Sequence, residues 1–213
     1  MRYILVSGLL AVASFVLSGC APVFSDLQSA KLVGKGEYEF TPSVTEINFS
    51  NEGESEKIQT HMGLQAAYGL FEDTDIRIRY ERITMDLDGP DEWVCNVIGI
   101  GPKIELTKDR SAFYLPVGFA YGDNIAETSK TWEIHPTLLF TIPMGDNLEI
   151  NPSAKALMPL SSDNSDILFA LNLGAGLSTD HDKWVIRPEF GYLFNPDSDG
   201  HFNHFSIGLT LYP

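Results

Sequence analysis

A period-two alternation of apolar and polar residues, repeated in ten long runs, constrains this chain more than any other feature. Successive side chains of a β-strand point to opposite faces, so each run has one apolar and one polar side. The clearest runs from Trp132 to Ile142. Trp132, Ile134, Pro136, Leu138, Phe140 and Ile142 fall on one side, against Glu133, His135, Thr137, Leu139 and Thr141 on the other. Leu148–Met158 and Trp184–Phe194 repeat the pattern. Seven further segments fit it less regularly, at about Leu32–Val44, Ile58–Leu70, Thr74–Ile83, Val94–Leu106, Ala112–Tyr121, Asp166–Ser178 and His204–Tyr212. Globular strands average about five or six residues, whereas strands of roughly ten, tilted near 40°, have the length a hydrocarbon layer requires. The expected fold is all-β, a single antiparallel up-and-down β-barrel of about ten strands, within a range of about eight to twelve.

The linkers carry an independent signal because long and short ones alternate. Thr45–Lys57, Met85–Trp93, Gly122–Thr131, Pro159–Ser165 and Asn195–Asn203 are long. Phe71–Asp75, Thr107–Ser111, Pro143–Asn147 and Thr179–Lys183 are short. Barrels of the outer membrane combine short periplasmic turns with longer outside loops. Beyond the N-terminus no apolar run reaches 18 residues, so any crossing of a bilayer must be made by strands.

The two faces differ in a way that sets inside from outside. The polar face also holds Gly99, Gly101, Gly118, Ala120, Gly174, Gly176, Gly191 and Gly208, whereas the large aliphatics gather on the other. Small residues suit a crowded lumen better than a solvated surface. With the polar face inward, Arg77, Arg79, Glu81, Lys103, Glu105, Glu133, His135, Glu149, Lys155, Arg187 and Glu189 all project into a narrow barrel. Charges so confined are tolerated when paired or hydrated, so a lumen plugged by mutual salt bridges is expected. Pro116, Pro136, Pro152 and Pro188 lie inside these strands, and each removes a ladder donor. They imply bulges, short breaks or a partly open sheet.

At the N-terminus, Arg2 precedes an apolar run from Tyr3 to Val16, which is the length of a secretory signal rather than a membrane span. It ends in Leu17-Ser18-Gly19-Cys20, which resembles the lipobox of bacterial lipoproteins. That resemblance implies a signal peptide over residues 1–19, acylation of Cys20, a lipid-anchored tether over 20–30 and a barrel domain over 31–213. Cys95 is then the one free thiol, with no Cys or His neighbour at metal spacing, and reads as a packing residue. Loss of Arg2 leaves 13 Lys and Arg against 29 Asp and Glu, a net charge near −16. This excludes nucleic acid, whose phosphates require clustered cations. Acidic residues concentrate in the first two long linkers, at Glu46, Glu52, Glu54, Glu56, Asp86, Asp88, Asp91 and Glu92, where divalent cations are a candidate partner.

The alternating strands, the linker asymmetry and a final strand Phe205-Ser206-Ile207-Gly208-Leu209-Thr210-Leu211-Tyr212 together resemble the small outer-membrane β-barrels of Gram-negative bacteria. The resemblance covers most of the mature chain and implies location and fold rather than activity. It implies an outer-membrane protein in contact with outer-membrane lipids, porin-like in architecture, non-enzymatic and without a cofactor. Its role would be structural, interaction or narrow passage. Two other functions fit parts of the sequence. A lipid-anchored periplasmic barrel carrying a small apolar ligand would place the apolar face inside. A hydrolase modifying lipid A would use His204 and Ser206, which share a strand face so that a base can reach a hydroxyl. The His-x-Ser spacing is similar to that of a lipid A deacylase barrel. None of the histidines forms a His-Glu-x-x-His or similar metal pattern.

Overall fold

The computed structural model describes residues 23–51, 53–85, 93–122, 125–161, 166–196 and 200–213. The strands are β1 (Tyr38–Asn51), β2 (Glu54–Phe71), β3 (Thr74–Met85), β4 (Trp93–Thr107), β5 (Ser111–Tyr114), β6 (Val117–Tyr121), β7 (Glu133–Ile134), β8 (Thr137–Phe140), β9 (Ile142–Pro143), β10 (Leu148–Pro159), β11 (Leu168–Leu177), β12 (Trp184–Phe194) and β13 (His201–Leu211). All pairings among them are antiparallel, and β1 with β13 closes the sheet over Phe40↔Leu211 to Ser50↔His201. β5 and β6 form one interrupted stave and β7, β8 and β9 another, so the closed barrel has ten strands.

Both interruptions sit at prolines. Pro116 separates β5 from β6, and Pro136 separates β7 from β8. Neither proline can donate to the ladder, but both carbonyls accept across the gap. The His135 amide reaches the Pro116 carbonyl at 3.0 Å, and the Ala156 amide reaches that of Pro136 at 3.1 Å. Pro152 and Pro188 stay inside β10 and β12, opposite Leu173 and Ile207. Short breaks at two of the four prolines therefore leave the barrel closed.

The polar face is the inside. On β1, Glu39, Thr41, Ser43 and Thr45 are buried while Phe40 and Val44 are 40% and 44% exposed. On β13, His204, Ser206 and Thr210 are buried, and Phe205, Ile207, Leu209 and Leu211 face out. The outward apolar band on β12 runs from Trp184 to Tyr192. At 3.3 Å per residue and a tilt near 40° it is roughly 20 Å tall, close to the ~25 Å band of membrane barrels. Aromatic side chains border it. Tyr38 packs on Tyr68 near the short turns, with ring centroids 4.8 Å apart, and Phe119 packs on Trp132 near the long linkers, at 4.7 Å.

Beyond this band, toward the long linkers, the polarity of the faces inverts. Outward Glu46 and Arg82 are exposed, while inward Ile47, Ile58, Ile83, Met85, Leu157, Leu193 and Phe202 are buried. Two departures from the sequence reading follow, the first of them explained by the inversion. Much of the expected loop Thr45–Lys57 is strand, because β1 and β2 continue to pair, through a bulge at Ile47/Asn48, as far as Asn51↔Glu54. The strand pattern is not lost at Thr45; its apolar side changes face. The first strand also begins at Tyr38 rather than Leu32. Gly34 (φ +96°) and Gly36 (φ +83°) occupy the left-handed region, where glycine avoids the steric cost of a side chain, and they turn the chain before the ladder begins.

Candidate functional site

The barrel interior contains a segment of its own chain. Residues 23–30 are buried, and they meet side chains from around the wall. Where the sequence reading has a tether over 20–30, its described part is lumen filling. The entry is built from backbone at the short-turn end. The Gly36 amide donates to the Gly69 carbonyl at 2.9 Å, the Gly69 amide to Glu37 at 3.1 Å, and the Glu37 amide to Gly34 at 3.1 Å. A Cβ on Gly69 would lie 1.8 Å from the Gly34 carbonyl oxygen, so glycine is required for this approach. Just inside, the Val33 amide donates to Asp75 at 3.2 Å.

Farther in, Lys31 pairs with Glu149 at 2.7 Å. The Ala30 amide donates to the Thr141 hydroxyl at 2.7 Å. The Lys103 ammonium donates to the carbonyls of Ser29 (2.8 Å) and Lys31 (2.6 Å). The centre is Asp26, whose carboxylate pairs with Lys155 at 2.8 Å and accepts from Ser153 at 2.5 Å and Asn172 at 2.8 Å. At the same place the chain turns through Leu27 (φ +53°) and aims two successive amides at one carboxylate. Asp26 and Leu27 donate to the two oxygens of Glu189 at 2.7 and 2.8 Å. Arg79 donates to the Ser25 carbonyl and, at 2.6 Å, to its hydroxyl. Buried backbone polar groups need partners, and here the wall supplies them.

The structure places the predicted lumen residues as follows. Arg79 meets Glu81 at 2.7 Å, Arg187 meets Glu149 at 3.1 Å, and His135 meets Glu133 at 2.7 Å. Arg77 turns to Glu39 (2.8 Å) and Asp75 (3.4 Å), neither of which is among the predicted residues. Lys103, Lys155 and Glu189 take their close partners from the inserted segment. Glu105 is half-buried at the short-turn rim, accepting from the Asp109 amide at 2.9 Å, and stands apart from the interior network. Glycines make room opposite the long side chains. A Cβ on Gly191 would come within 2.1 Å of both Asn172 and His204, and one on Gly176 within 2.7 Å of Glu149.

His204 and Ser206 do meet, with Nδ1 and Oγ 2.8 Å apart. Both are fully buried and face inward. Phe24 packs edge-on against the imidazole at 4.7 Å, and the Ser206 hydroxyl also shares a hydrogen bond with Thr45 at 2.7 Å. At 0% exposure the Ser206 hydroxyl is covered in this structure. Cys95 packs beside Val23 and Ile83. Among the described residues no group of His, Cys, Asp and Glu could hold a metal ion. Of the acidic outer positions, Glu46, Glu54 and Glu56 are exposed, and Glu46 meets Lys57 at 3.4 Å. Glu52, Asp86, Asp88, Asp91 and Glu92 lie outside the described residues. A cavity of about 50 Å³ remains beside the segment, walled by Val23, Val97, Phe119, Ala120, Thr131 and Glu133 among others.

No protein-family model and no curated protein matches the chain. Solved structures do. An outer-membrane channel from Pseudomonas putida is similar with 9% identity, over 89% of this chain and 100% of that one, at a TM-score of 0.52. The attachment invasion locus protein Ail of Yersinia pestis has 13% identity, over 84% and 99%, at 0.41. The translocator domain of the autotransporter NalP from Neisseria meningitidis has 9% identity, over 84% and 89%, at 0.46. The likeness to the channel shows a shared barrel fold.

Proposed function

We propose that this chain is a non-enzymatic outer-membrane β-barrel lipoprotein, closed by its own N-terminal segment and serving a structural or interaction role. The observation that carries this reading is the seating of residues 23–31. Side chains from β2, β3, β4, β10, β11 and β12 hold the segment, through Gln65, Arg79, Lys103, Lys155, Asn172 and Glu189 respectively. A free-passage channel would leave those groups to water. The apolar belt with its aromatic borders supports contact with outer-membrane lipids, and the Leu17-Ser18-Gly19-Cys20 sequence supports a lipid on Cys20. The charged interior disfavours the carrier alternative, since an apolar ligand would have to displace water or protein from Arg, Lys and Glu side chains.

Two properties test the proposal together. An integral barrel stays with membranes through carbonate and urea extraction and migrates faster on unheated gels. A closed one also leaves liposomes impermeable to small sugars. Extraction into the soluble fraction would refute membrane insertion, and rapid osmotic swelling would refute closure.

A further inference from the structure

The inserted segment has a direction, and the direction bears on the lipid. It enters at the short-turn end, where Val33 meets Asp75. Its first described residues lie toward the other end, where Val23 packs against Ile83 and Cys95, and Phe24 joins the apolar cluster around Ile47 and Phe202. Asp75 and Ile83 lie on the same strand, β3. Eight residues of a strand tilted near 40° put them roughly 20 Å apart along the barrel axis. The segment therefore crosses about the full height of the apolar band.

We propose that the acylated Cys20 is delivered through the barrel to its long-linker end and anchors in the outer leaflet. This rests on the lipoprotein and membrane reading above. Cys20 is three residues from Val23, and three extended residues reach at most about 11 Å. That is too short to return over roughly 20 Å to the short-turn end, through a lumen that residues 24–33 already occupy. It is long enough to clear the rim. A periplasmic-leaflet anchor would require the segment to leave the barrel, breaking the Asp26–Lys155 pair and the Glu189 contacts.

The test inserts an epitope between Ala21 and Pro22 of the full-length chain. Metabolic labelling with a palmitate analogue is read on the same protein. The expected result is palmitate incorporation, with antibody staining of intact cells equal to that after permeabilising the outer membrane. Incorporation with staining only after permeabilisation would overturn the proposal while leaving the lipoprotein reading intact. Surface staining without incorporation would overturn the anchor and the lipoprotein reading together, while the threading direction stood. In case the insertion blocks assembly, Val23→Cys provides an independent readout. It should form a disulfide with the native Cys95, seen as a reductant-sensitive shift and loss of thiol labelling. A folded Val23→Cys barrel with both thiols free would overturn the placement on which the proposal depends.

Discussion

Removing the carboxylate of Asp26 should unseat the inserted segment without dismantling the barrel. In the seated state this group neutralises Lys155 at 2.8 Å and accepts from Ser153 and Asn172. Asp26→Ala leaves the ammonium buried without its counter-charge. Breaking one side of a buried pair costs roughly 3–5 kcal/mol. The lower end applies, because Lys155 keeps the carbonyls of Ser25 at 3.2 Å and Phe24 at 3.4 Å. In the unseated state water solvates Lys155 in either protein, so the loss falls on the seating equilibrium. At about 1.4 kcal/mol per tenfold, a loss of about 3 kcal/mol raises the unseated population about 100-fold. Opening events in planar bilayers should become more frequent by about that factor, while the unheated gel band stays at the folded position. Asp26→Asn keeps hydrogen bonding toward Ser153 and Asn172 and should fall in between. If Asp26→Ala opens no more often than the wild type, the pair does not hold the segment and the reasoning fails.

Three further outcomes follow from the same geometry. Gly69→Ala should disrupt the entry, since its Cβ would sit 1.8 Å from the Gly34 carbonyl oxygen, and protease should then cleave within residues 23–34 of the otherwise folded barrel. Leu138→Arg, on the outward face at 42% exposure, should impair insertion by about 2–4 kcal/mol near the midplane, read as a lower urea midpoint in lipid vesicles. In a Cys95→Ala background, an impermeant thiol reagent on intact cells should label Asn51→Cys at the hairpin tip and spare Asp146→Cys in the short turn; the reverse would invert the orientation.

The barrel was legible because alternation survives wherever one face is apolar. The runs Leu148–Met158 and Trp184–Phe194 match β10 and β12 within a residue. The interior assignment followed from Gly176 and Gly191, which clear space for Glu149 and for His204. The hairpin tip was missed because Glu46 and Ile47 exchange roles where the strand leaves the apolar band, and a pattern tied to one face reads that exchange as a loop. The inserted segment was missed for a deeper reason. Val23 to Ala30 is a mixed stretch with no regular period, because its backbone is held by wall side chains rather than by a ladder. Lys103 and Lys155 were expected to pair with glutamates of the wall, but their close partners are the carbonyls of Ser29 and Lys31 and the carboxylate of Asp26.

Single-channel recording of the purified wild-type protein in planar bilayers tests the central claim most directly. With residues 23–31 seated, the expected trace is a baseline without steady conductance, interrupted only by rare, brief openings. A sustained ohmic current at low voltage, from protein migrating as a folded barrel on unheated gels, would contradict it.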